Sequence, residues 1–82
     1  MYEKINESIE VLVKFSGEKV MPTFFKWRSK TYKIEKLNLV HKKREGDNDI
    51  YYFSVSDEIN FFRLAFSTRD MKWVLEELFY EG

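Results

Sequence analysis

Cysteine is absent from these 82 residues, proline and histidine occur once each, and glycine occurs three times. Without cysteine there can be no disulfide, no thiolate metal site and no cysteine nucleophile, and a cytoplasmic home is the default expectation. A lone His41 cannot build a histidine-rich metal site and reads as a solvated residue at a strand end. Gly17, Gly46 and Gly82 stand far apart, so the chain has no glycine-rich phosphate loop, and it has no nucleophile elbow. No stretch approaches the roughly 20 apolar residues of a spanning helix, and the opening MYEKINES carries charge where a signal peptide would be apolar. A membrane span and a signal peptide are therefore not expected.

The carboxylate pairs Asp47/Asp49 and Glu76/Glu77 are the remaining candidates for cation binding or acid–base work. Both sit in charge-rich segments and read as solvated surface. The sequence thus points to a protein that is not an enzyme, with no catalytic residue, no metal site and no cofactor.

Aromatic residues are plentiful: eight Phe, five Tyr and two Trp in a chain 44% hydrophobic and 34% charged. That much apolar area excludes a disordered chain, and the length allows one domain, residues 1–82. Rings in quantity with little glycine or proline favour strands, where they pack across a pleated surface. Trp27 and Trp73 are expected in the core.

The pattern along the chain agrees. Ile9, Val11, Val13 and Phe15 alternate with Glu10, Leu12 and Lys14, a period of two that reads as a first strand. EKVMP reads as the following turn, since Pro22 excludes a helix there. Residues 23–28 then form a strand with Phe25 and Trp27 on one face and Phe24, Lys26 and Arg28 on the other. Ser29-Lys30 is the expected turn into a third strand. Tyr32 and Ile34 share a face, whereas Leu37 and Leu39 have the opposite parity, which calls for a bulge or bend near Glu35-Lys36. KKREGDND is the most polar run and reads as a loop. IYYFSVS and INFFRLAF, joined at SDE, read as a second hairpin without a clean polar face, as in a small barrel or a sheet packed on its own folded half. After STRD, residues 71–79 fit two descriptions. Met71, Val74, Leu75, Leu78 and Phe79 make a helical stripe, while Trp73, Leu75 and Phe79 share a strand face. The expected fold is mainly β, a small antiparallel sheet or partly open barrel of about six strands, ending in a strand or a short helix.

The run Phe25-Lys26-Trp27-Arg28-Ser29-Lys30-Thr31-Tyr32-Lys33-Ile34 resembles the F-x-W-R-x-x-x-Y-x-[IV] core of a family of small bacterial all-β domains of unknown function. Tyr51 and Phe53 match that family's later Y-x-[VF] strand, and Trp73, Leu75 and Glu76 match its closing W-x-L-E strand. Ser29-Lys30 stands where the family has a Gly-Arg turn. The resemblance implies a compact β domain closed by a strand at residues 71–79, and it implies no enzymatic activity. It also implies a module that occurs alone or beside DNA-repair polymerase domains.

Net charge is zero, but unevenly distributed. Residues 1–18 carry two basic and four acidic groups, residues 19–44 nine basic and one acidic, and residues 45–82 three basic and nine acidic. A basic hairpin face of Lys26, Arg28, Lys30 and Lys33, with Phe24 to stack on a base, would suit nucleic acid or an acidic protein partner. The expected function is therefore a non-catalytic binding module. In the alternative the same cations pair with acidic segments, Asp57, Glu58, Glu76 and Glu77. That pairing occurs within one chain or between two copies of a homodimer, which makes the protein a structural or self-associating interaction module.

Overall fold

A computed structural model describes residues 1–80. The strands are β1 (Tyr2–Ser16), β2 (Lys19–Trp27), β3 (Lys30–Lys33), β4 (Lys36–Glu45), β5 (Asn48–Ser56), β6 (Asn60–Ser67) and β7 (Lys72–Tyr80). They form one antiparallel sheet in the order β3-β2-β1-β7-β6-β5-β4. The described residues contain no helix, so none is long and apolar enough to cross a membrane.

This sheet is open in its strand order, yet bent over on itself. The Ile34 amide donates to Thr23 O of β2 at 2.8 Å, and the next amide, Glu35, donates to Ser56 O of β5 at 2.9 Å. One extended run thus changes partner within two residues and joins the two edges of the sheet. β1 does the same on the other side, pairing through Ile9 with β7 and from Glu10 onward with β2. A three-stranded half (the end of β1, β2 and β3) therefore folds over a five-stranded half. Phe25 of β2 meets Phe62 of β6 edge-on at 4.9 Å, although two strands separate them in the sheet.

The space between the halves is filled by rings and aliphatic chains from both. Phe25, Trp27, Phe53, Val55, Phe62, Leu64, Leu75 and Leu78 are buried, with Tyr32, Phe66 and Trp73 packed against them. Tyr32 stacks on Phe25 at 5.0 Å and Trp73 lies 4.8 Å from Phe66. Trp27 is a core residue, as expected, and Trp73 is half-buried against the core.

Four expectations are corrected in detail. The first turn is Gly17-Glu18, and Val20 to Pro22 already belong to β2. Pro22 is tolerated because it lies beside the register shift at Leu12/Val13 and beyond the reach of β3. The second turn is Arg28-Ser29, with Lys30 already paired to Trp27. Both turn residues take positive φ, 50° and 64°, the arrangement that matches the twist of a two-residue hairpin. KKREGDND is not a loop but the end of a β4–β5 hairpin, turned at Gly46-Asp47 with Gly46 at φ 61°. The bend expected near Glu35-Lys36 falls one residue earlier, and a separate register shift lies at Asn38.

Of residues 71–79, Met71 ends the preceding turn and the rest belong to strand β7, and the geometry explains their helical appearance. Leu75 pairs with Leu64 but Glu77 pairs with Arg63, so Glu76 is an extra residue opposite β6. This bulge reverses the alternation and lets Leu75 and Leu78, three residues apart, both point into the core.

Candidate nucleic-acid interface

Pairing across the β1–β2–β3 half sets which side chains share its outer face. Leu12, Phe24 and Lys33 lie in one row, and Glu10, Lys26 and Thr31 in the next. Lys14 and Met21 follow beyond the Leu12/Val13 shift. Phe24 is 37% and Leu12 64% exposed, so an aromatic and an aliphatic side chain lie open between Lys14, Lys26 and Lys33. Lys33 has one weak contact, to Glu35 at 3.8 Å. Lys14 and Lys26 make no ion pair among the described residues.

Only three of the five expected site residues, Phe24, Lys26 and Lys33, share this face. Lys30 is Trp27's cross-strand partner, and its ammonium sits 5.2 Å over the ring of Tyr32. That places it at the rim of the inner face. Arg28, in the turn, leaves the face as well. Its Nε and Nη2 donate to the two carboxylate oxygens of Glu7, at 3.1 and 2.6 Å, and its guanidinium lies 4.6 Å from the Trp27 ring centre. Trp27 Nε1 donates to the same carboxylate at 2.8 Å. Glu7 thereby joins β1 to the turn, and the Arg28 and then the Trp27 hydrogen bonds hold its carboxyl below the usual carboxylate range. Glu7 was not legible as a partner, because the register that brings it to Arg28 is tertiary.

The acidic segments expected to face this hairpin do other work. Glu76 and Glu77 flank Arg63, with Nε 3.2 Å from Glu76 and Nη1 4.0 Å from Glu77. Burial nevertheless holds the Glu76 carboxyl above its ordinary value, outweighing the attraction of Arg63. Asp57 caps its own turn, accepting from the amides of Ile59 and Asn60 at 2.8 and 2.6 Å. Burial alone would raise its carboxyl, but these bonds bring it below the usual range. Asp47 pairs with Arg69 at 2.9 Å and Asp49 with Arg44 at 3.5 Å. Among the described residues no three acidic or histidine side chains gather as a cation site. His41 is exposed within β4, its ring 6.2 Å from that of Tyr52.

A second exposed patch went unremarked in the sequence. Tyr2, Phe79 and Phe61 are cross-strand neighbours on β1, β7 and β6, each about half exposed, on the outer face of the five-stranded half. Its charged neighbours are Lys4, Glu77 and Arg63 in the adjoining row, with Glu76. The alternation of each strand could have revealed the three rings, but not that their strands would be adjacent.

No family model, characterised protein or solved structure matches the chain. The hairpin resemblance therefore rests on its own residues, of which Phe25, Trp27 and Tyr32 line the core and Arg28 the turn.

Proposed function

We propose that this domain is a non-catalytic binding module that holds nucleic acid on the outer face of its β1–β2–β3 half. The observation that carries this reading is an exposed ring, Phe24, set between lysines of which two, Lys14 and Lys26, make no ion pair among the described residues. Cations there would neutralise phosphates while the ring and Leu12 take up apolar surface.

Titrating a labelled oligonucleotide by fluorescence anisotropy tests it. Three phosphate contacts on a single strand give a log–log salt slope of roughly −2, a loss of about 15-fold between about 50 and 200 mM salt. Replacing Lys26 and Lys33 with Glu abolishes the binding and leaves the melting temperature nearly unchanged, since both side chains are exposed. Binding by the double variant equal to wild type would remove the face from consideration.

A second reading is favoured by the ring row Tyr2, Phe79 and Phe61 beside Glu76 and Glu77. Here the basic half of one copy meets the acidic, ring-lined half of another, and the protein is a self-associating module. Sedimentation velocity at low and high protein concentration decides between them: a monomer throughout, at low salt, excludes self-association.

A further inference from the structure

Two shallow hollows adjoin, one on the proposed face and one past its end toward the Arg28-Ser29 turn, and Glu10 and Lys26 line both. One is polar, with Ser8, Arg28 and Ser29 completing its rim. The other is apolar, with Leu12, Phe24 and Thr31. Resting on the nucleic-acid reading above, we propose that together they form a site for one nucleotide of a single strand. Its base stacks on Phe24 against Leu12, and its phosphate lies between Lys26, Arg28 and the hydroxyls of Ser8 and Ser29.

The chemistry of each hollow fits its half of the ligand. Glu7 engages Nε and Nη2 of Arg28, which leaves Nη1 for another acceptor while the guanidinium is held in place. Lys26 lies between the hollows on a flexible stem and contributes a full positive charge. Lys33, directly across from Phe24, stands on the far side of the ring, where the neighbouring phosphate of an extended strand would pass. A duplex keeps its bases stacked internally and offers no free face to Phe24, so the site selects single strands. Two carboxylates oppose the ligand: Glu7, already on Arg28, and Glu10, which is paired with Lys26 across the strands and stands beside the phosphate. They make the site weak, and Glu10 supplies a test that a merely structural role would not answer.

The experiment compares a labelled ten-nucleotide oligothymidylate, an abasic strand with the same phosphates and a duplex, by anisotropy at about 50 mM salt, where phosphate contacts are strong. Wild type binds the thymidylate roughly 5- to 150-fold more tightly than the abasic strand, the range for one stacked base. Phe24→Ala brings the thymidylate to the abasic level and leaves the abasic affinity unchanged. Phe24→Leu, which keeps apolar bulk without a π-face, does the same should the alanine variant fold poorly. Glu10→Gln tightens both strands. Equal, salt-sensitive binding of thymidylate and abasic strand by wild type would overturn the nucleotide site while leaving the phosphate face standing. Failure of all three probes to bind would overturn the nucleic-acid reading itself.

Discussion

Arg28 and Ser29 show how one pair of residues couples local strain to the rest of the molecule. Neither is glycine, yet both take left-handed φ, at a cost of about 1–2 kcal/mol each. The hairpin closes there because Glu7 and the Trp27 ring hold Arg28. Ser29 has no comparable tether among the described residues. Ser29→Gly should therefore stabilise the domain by about 1 kcal/mol, raising Tm by roughly 4–8 °C in a thermal melt. Glu7 makes the second residue-scale prediction. Its folded carboxyl titrates below the ordinary 4.5, so the stability it contributes is present above that value and is lost as pH falls through the folded one. Asp57 acts in the same direction, whereas Glu76, raised by burial, gains on protonation and opposes them. Melting followed from pH 7 to about pH 3 should show a shallower acid decline for Glu7→Gln than for wild type. Parallel profiles would mean that Glu7 does not couple the turn to β1.

At the scale of elements, the bulge at Glu76 sets which side chains of β7 face the core. Deleting Glu76 removes the extra residue and leaves Leu75 and Leu78 two apart, so simple alternation still points both inward. The deletion should therefore cost less than truncating a buried leucine, about 2–5 kcal/mol, with the difference read from the urea midpoints. Leu75→Ala, at a side chain with 0% exposure, is the matching control. A deletion variant as unstable as Leu75→Ala would show that the bulge does more than set which side chains face the core. The strand faces of β2, β5 and β6 were legible from alternation alone, because a period of two survives in any regular strand. The turns were less so. KKREGDND is polar enough for a loop, yet it forms strand because the partner segment from Asn48 onward continues the ladder beyond the core.

For the whole molecule, the joined edges at Ile34-Glu35 and the shared β1 make the two halves one cooperative unit. Trp27 reports the β1–β2–β3 half and Trp73 the five-stranded half, and both pack on one cluster. Single-tryptophan variants, Trp27→Phe and Trp73→Phe, should each show unfolding by fluorescence that coincides with loss of the circular-dichroism signal. Separate transitions would mean that the halves unfold independently. The uneven charge also resolves at this scale. Part of the basic middle segment is neutralised locally by Glu7, Glu35, Glu45 and Asp49; of its cations without an ion pair among the described residues, Lys26 lies on the outer face of the β1–β2–β3 half, while Lys36 and Lys42 lie on β4.

The sequence by itself determined an antiparallel β domain with an aromatic core and placed Phe24 and Lys26 opposite Phe25 and Trp27, because composition and two-residue periodicity are local properties of the chain. Only the tertiary structure decided that Lys72–Tyr80 is a strand, since a bulge mimics helical spacing and is defined by its partner strand. It alone decided which cations remain available, because Glu7 reaches Arg28 from 21 residues away through a register that no local pattern encodes.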